Sequence, residues 1–259
     1  RERDWACVQR ESLKDYYRPG PIPGTMLIEY WSDYTCPFCC IAEARLKKAL
    51  SQMNLGGRVK LVFKAFELYQ EAPQWAERNI VEAMQHTYGI SEADAQAKVD
   101  RIESMARGEG LEFNYGTAHT CNTFDALRVA KYAQTQSEEM LERYSHLMFE
   151  DFFAKNLRIS DHEVILDAAE KAGMKRSDVK GILDGDRFAK EVRRDEQEGY
   201  MLGVRAVPFF AVARKYSIPG CIETEQFKQV IARAIAEEEA ESLDPDKMKG
   251  MSCGPDGCR

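Results

Sequence analysis

Met26-Leu27-Ile28-Glu29-Tyr30-Trp31-Ser32-Asp33-Tyr34-Thr35-Cys36-Pro37-Phe38-Cys39 is the stretch on which the fold turns. Its first six residues are mostly apolar and aromatic and predict a strand over 26–31. The cysteine pair follows at once. Beyond it, Ile41, Ala42, Ala44, Leu46, Ala49, Leu50 and Met53 recur at helical spacing as far as Gly56-Gly57, which predicts a helix over 41–53. Val59-Lys60-Leu61-Val62-Phe63-Lys64-Ala65-Phe66 then reads as a second strand. Strand, helix and strand at these lengths predict a right-handed parallel crossover.

Cys36-Pro37-Phe38-Cys39 therefore opens a helix directly after a strand. That puts Cys36 near the N-cap, where unpaired backbone N–H groups and the helix dipole favour an anion. A thiolate is the reactive form of cysteine. Cys39 falls on the same helix face, in reach for closing a small disulfide ring. Pro37 fits the first turn, where a missing N–H costs nothing. The chemistry predicted is disulfide exchange, with Cys36 attacking or attacked and Cys39 resolving the mixed disulfide. The spacing alone leaves two alternatives: half of a zinc site, or a pair of structural thiols.

Working outward, residues 1–24 are polar and end in Arg18-Pro19-Gly20-Pro21-Ile22-Pro23-Gly24, an N-terminal extension without helix or central strand. From 71 to 199 no strand pattern appears. Helical patterns run over 76–88, 92–108, 124–135, 137–155, 161–172 and 186–203, with Ser160/Glu163 and Asn122/Asp125 in capping positions. This is the pattern of an all-helical subdomain inserted into an α/β domain formed by 25–70 and 200–240. Strand character returns over 207–213 and in Tyr216-Ser217-Ile218, joined by a turn at Arg214-Lys215. A final helix runs from Thr224 to about 240. Residues 241–259 are polar and glycine-rich, a flexible tail ending in Cys253-Gly254-Pro255-Asp256-Gly257-Cys258.

Val207-Pro208 is the second signature. A proline interrupting a strand pattern removes a ladder donor and is tolerated at a strand start. It is either an ordinary trans proline there or a cis proline that leaves the Val207 backbone free to pair with a substrate strand.

The bulk numbers exclude other classes. A net charge of −7 argues against a nucleic-acid partner. The longest apolar run, residues 206–213, is far too short to span a bilayer, so no membrane partner is expected. Eight cysteines in two tight pairs and four singles suit dedicated redox or metal pairs in a reducing compartment better than a stapled scaffold. No secretory signal is visible and the chain begins at Arg1. The cytoplasm is expected, or the periplasm if a signal peptide has been removed.

Strand, Cys36-Pro37-Phe38-Cys39, helix, strand, helical insertion, Gly203-Val204-Arg205-Ala206-Val207-Pro208-Phe209-Phe210 and a last helix resemble the DsbA family, and within it the FrnE-like branch. The resemblance covers roughly residues 25–240 and implies a thioredoxin-like fold with a large all-helical insertion. It implies disulfide exchange at Cys36 and Cys39 with Pro208 as a cis-proline beside them, and Val207, Pro37 and Phe38 around the substrate. Implied partners are protein or low-molecular-weight thiols and disulfides, with a thioredoxin or glutathione system as electron source or sink. No metal or other cofactor is implied. Strongly oxidising members carry Pro-His between the cysteines. Phe38 lacks that donor, so a less oxidising couple is expected and the direction of exchange stays open.

Several residues keep more than one reading. Glu29 is a solvent-facing strand residue or a buried acid that accepts the Cys39 proton, as acids near this place do in relatives. Cys40 is a small buried apolar residue or a competing thiol. Cys253 and Cys258 resemble the tail motif of some FrnE-like proteins and read as a secondary redox shuttle, a metal site or a passive disulfide. His119 and Cys121 are close in sequence but lack metal spacing, as do His86, His146 and His162. Cys7 and Cys221 have no assigned role. The rival activities are a glutathione-dependent transferase or isomerase of the kappa-like branch, where Cys39 is unexpected, and a thiol-based metal-binding protein using Cys36, Cys39, Cys40 and the tail pair.

Overall fold

The computed structural model describes residues 25–55 and 57–242. Strands β1 (Met26–Ser32) and β2 (Val59–Ala65) are parallel and joined by α1 (Pro37–Met53). Helices α2 (Ile80–Tyr88), α3 (Glu92–Gly108), α4 (Phe124–Gln136), α5 (Glu138–Phe153), α6 (His162–Ala172), α7 (Arg176–Leu183) and α8 (Ala189–Met201) follow. Strands β3 (Phe209–Val212) and β4 (Tyr216–Pro219) and helix α9 (Thr224–Ser242) complete the order. The sheet runs β2-β1-β3-β4, with β3 antiparallel to both neighbours. This is a thioredoxin-like α/β fold with a helical insertion between β2 and β3.

β1 lies inside the sheet, so both of its faces are covered and its residues are nearly all buried. Tyr30 stacks on Phe210, which meets Phe227 of α9, so that face belongs to α1 and α9. The opposite face carries Trp31, whose indole N–H donates to the Asp195 carbonyl of α8 at 2.8 Å. Gly199 permits this approach: a Cβ there would stand 2.9 Å from the Trp31 indole nitrogen. One hydrophobic cluster runs from the sheet through the insertion. Tyr34, in the loop before Cys36, joins the two by packing on Phe63, Tyr144 and Phe149.

The first helix begins at Pro37 with Cys36 as its cap, as the cysteine motif predicts, and its last residue is Met53, followed by Asn54 in left-handed conformation. Other boundaries differ from the sequence expectation. α2 starts at Ile80 rather than 76: Asn79 and Glu82 form a capping box, and Ala76 is drawn off by a bond to the Thr120 carbonyl. α6 is capped by Asp161, not Ser160, whose hydroxyl is bonded to the Gln74 carbonyl. Thr123 rather than Asn122 caps α4, although Asn122 Oδ1 accepts the Phe124 N–H. α7 has no counterpart in the sequence expectation. The β3–β4 turn has two residues of positive φ, Ala213 and Arg214, the geometry of a tight hairpin turn that matches strand twist.

Candidate active site

Cys36 is the N-cap of α1, with extended backbone, and its N–H donates to the Asp33 carbonyl at 3.2 Å. The thiol donates to the Val207 carbonyl at 3.4 Å, across 171 residues of sequence. The Val207–Pro208 peptide is cis. Pro208 lies on the turn into β3, and its carbonyl accepts the Gly220 N–H at 2.8 Å. β3, antiparallel to β1, thus brings Val207-Pro208 up to the first cysteine. Pro37 is buried in the first turn of α1, while Phe38 is 37% exposed beside a Cys36 that is only 2% exposed. The Cys36 sulfur is thus buried against the Val207 carbonyl, with the partly exposed Phe38 two residues along.

Cys39 is completely buried. Burial pushes its thiol well above the ordinary value, and the neighbouring Cys36 sulfur pushes the same way. The Asp33 backbone and the Ser32 side chain pull in the opposite direction. The Ser32 hydroxyl in turn donates to Glu43 Oε1 at 2.7 Å. Glu43 is buried on α1, four residues and one helical turn after Cys39, and burial raises its carboxyl. Sequence reasoning missed Ser32 and Glu43. The available signal was an acid on the apolar face of a helix at Cys39 + 4.

Glu29 is neither on a solvent face nor beside Cys39. Strand alternation puts it and Ser32 on opposite faces of β1. It is buried toward α8, where its carboxylate meets Arg214 at 3.1 Å and Lys64 at 3.5 Å. Cys40 is buried beside Glu43, and its thiol is pushed well up by burial and by that carboxylate. Cys121 is buried too and raised to about 11, chiefly by burial. Cys221 is half-buried, 3.6 Å from the Arg45 guanidinium. His119 stacks on Trp75 and its Nδ1 meets the Ala76 carbonyl, apart from any joint site with Cys121. His162 pairs with Asp125 at 2.9 Å. No group of three or more His, Cys, Asp or Glu among the described residues is placed to hold a metal ion. Cys7, Cys253 and Cys258 lie outside the described residues.

A cleft of about 780 Å³ opens next to Thr35, walled by Leu68, Tyr69, Met84, Tyr88 and Tyr115. Asp33 ties its wall to the cysteine loop by accepting the Leu68 N–H at 2.5 Å.

A four-stranded sheet whose central strand feeds a helix capped by the first of two juxtaposed cysteines, opposite a proline-led strand, defines a thioredoxin-like disulfide-exchange protein. The family description "DSBA-like thioredoxin domain" matches residues 27–232, and the chain belongs to this family of thiol–disulfide oxidoreductases. A probable DsbA oxidoreductase from Streptomyces coelicolor superposes with a TM-score of 0.77 at 29% identity, over 90% of this chain and 98% of that one. The Bacillus subtilis protein YwbO is 24% identical over 80% of this chain and 96% of its own. A 2-hydroxychromene-2-carboxylate isomerase shares the fold, with a TM-score of 0.60 at 17% identity over 84% of this chain and 100% of its own.

Proposed function

We propose that the chain exchanges disulfides with protein or small-thiol substrates, Cys36 being the nucleophile and Cys39 the resolving thiol. The observation that carries this is the 3.4 Å contact between the Cys36 thiol and the Val207 carbonyl, with Cys39 buried behind it. A substrate disulfide meets the Cys36 sulfur. The Cys36 sulfur bonds to one substrate sulfur, and the other leaves as a thiolate. The Val207 backbone, Pro37, Phe38 and Pro208 frame that sulfur and align an extended substrate segment. Cys39 then attacks the Cys36 sulfur, releases the second substrate thiolate and closes the ring. The reverse sequence oxidises a dithiol. Phe38 offers no hydrogen-bond donor to the sulfurs, so the couple is less oxidising than one with histidine there.

The tail pair Cys253/Cys258 serves as a secondary shuttle to an outside thioredoxin or glutathione system, a role suited to the FrnE-like branch. Arg58, at the start of β2, pairs with Glu239 at 2.8 Å, so α9 ends at the edge of the sheet away from Cys36. From Ser242 to Cys253 an extended chain spans at most about 36–40 Å, against about 23 Å for the seven residues of β1. The reach suffices.

Incubating Cys39→Ser with a disulfide-bonded protein substrate tests the assignment. The expected result is a mixed disulfide mapped to Cys36, with dithiothreitol-driven reduction of insulin lost in Cys36→Ser. Reductase activity that survives Cys36→Ser, or a mixed disulfide mapped to Cys40 or Cys221, overturns it.

A further inference from the structure

An extended substrate segment aligns on the Val207 backbone only if that backbone stands at the right distance from Cys36. The contact between the two is one S–H bond of 3.4 Å to the Val207 carbonyl, and a thiol is a weak donor. We propose that Arg45 sets the distance: it is a positioning residue that fixes the Val207-Pro208 edge against the Cys36 end of α1, and so governs exchange with extended protein substrates but not with small disulfides. The proposal rests on the Cys36/Cys39 exchange reading above.

Arg45 lies on the same helix as Cys36, about 14 Å further along its axis, and its side chain is buried. The guanidinium faces two ways. Nε donates to Glu109 Oε1 at 2.9 Å, on the residue that caps the C-terminal end of α3. Nη1 meets Glu223 Oε1 at 2.9 Å, the Ile222 carbonyl at 3.3 Å and the Cys221 sulfur at 3.6 Å. These three residues belong to the loop between β4 and α9. That loop begins at Gly220, whose positive φ of 85° turns the chain out of β4 and whose N–H donates to the Pro208 carbonyl at 2.8 Å. The connection closes on itself. α1 carries Cys36 at its start and Arg45 further along, Arg45 holds the loop, the loop holds Pro208, and Val207 beside it meets the Cys36 sulfur.

The joint is rigid because one planar group serves both sides: Nε and Nη1 share the guanidinium plane, and bonds from an ionised donor are about twice as strong as neutral ones. Burial pushes the Glu109 carboxyl up, but the bonds from Arg45 and Lys48 outweigh it and hold the group below its ordinary value. The far end of the loop is fixed independently. The Glu223 carbonyl accepts the N–H groups of Gln226 and Phe227 at the start of α9, and Phe227 is completely buried. Loss of Arg45 therefore leaves α9 seated and loosens the stretch from Gly220 to Ile222, the part that bonds Pro208. A small disulfide needs the Cys36 sulfur alone. An extended segment needs that sulfur and the Val207 backbone together, so a displaced edge separates the two substrates.

The test compares two substrates in a Cys39→Ser background, where exchange stops at the mixed disulfide. On adding Arg45→Met, the rate of mixed-disulfide formation with a disulfide-bonded protein is expected to fall about 10- to 100-fold, the scale on which a misplacement of about 1 Å acts. Exchange with hydroxyethyl disulfide and alkylation of Cys36 by iodoacetamide are expected to be unchanged. Arg45→Met leaves Glu109 with Lys48, its partner at 3.3 Å. Should that variant fold poorly, Arg45→Met with Glu109→Gln removes the stranded charge and carries the test. Unchanged exchange with the protein substrate in either folded variant, or a loss shared equally by both disulfides, overturns the positioning role. An absence of exchange with either disulfide before Arg45 is altered instead overturns the exchange reading itself.

Discussion

Asp33 stands three residues before Cys36 and touches most of what the site needs. It is buried, its carboxylate accepts the N–H groups of Leu68 and Thr35, and its carbonyl accepts the Cys36 N–H. Burial raises the carboxyl from 3.8 to about 6 against these hydrogen bonds. The unfolded group titrates near the ordinary value. Between about pH 4 and 6 the folded chain holds a proton that the unfolded chain has lost, so this residue lowers stability as pH rises through that window. The span is on the order of 2–3 kcal/mol at about 1.4 kcal/mol per unit of pKa. Urea unfolding of Asp33→Asn and the unaltered protein at pH 4.5 and 7.5 checks this. The variant is expected to gain about 2 kcal/mol relative to the parent on going to the higher pH, and an unchanged difference contradicts the account. At this scale the sequence was legible where chemistry is local. Strand, N-cap and proline put Cys36 and Cys39 where they are found. Glu29 and Glu43 were not separable in the same way. Which acid lies beside a given sulfur depends on the face each element turns inward, and on Arg214 and Lys64 claiming Glu29 from other strands.

Helix α8 shows how the insertion is held to the sheet. Asp195 accepts the Ala65 N–H at 3.0 Å and pairs with Lys131 of α4 at 2.7 Å. Its neighbour Glu198 pairs with Lys64 of β2 at 2.7 Å. These groups are all buried, so breaking one side strands charge in a medium that does not solvate it. Asp195→Ala is expected to cost about 3–5 kcal/mol in chemical unfolding, and a loss below about 1 kcal/mol contradicts the latch. The sequence suggested a helix over most of this segment but gave no hint of the latch, because a polar helix face reads the same whether it meets water or a buried lysine. It also missed α7, only eight residues long with Val179, Ile182 and Leu183 as its buried side chains. So short an amphipathic pattern is too brief to stand out between two longer helices. The longer helices and all four strands were legible because their periodicity persists over several turns or pleats. Their starts were not, since tertiary bonds such as Ala76 to Thr120 and Ser160 to Gln74 recruit residues that a local capping pattern assigns to the helix.

Across the whole molecule, the two ends of the thioredoxin-like unit are brought together over the length of the insertion. Val207-Pro208 acquires its meaning from Cys36, 171 residues earlier. Among the described residues no helix is long and apolar enough to cross a membrane. The C-terminal pair, outside the described residues, carries a prediction of its own. In Cys253→Ser/Cys258→Ser, steady-state turnover with at least one physiological reductant is expected to fall several-fold, with single-turnover exchange at Cys36 unchanged; unchanged rates with every reductant contradict the shuttle. The exchange couple itself is tested most directly by equilibrating the protein in a series of glutathione redox buffers, quenching, alkylating and mapping every cysteine by mass. The account predicts that Cys36 and Cys39 lose alkylation together, as one two-electron couple, while Cys40 and Cys121 stay reduced throughout. Independent titration of Cys36 and Cys39, or a disulfide joining either of them to Cys40 in place of the other, contradicts it.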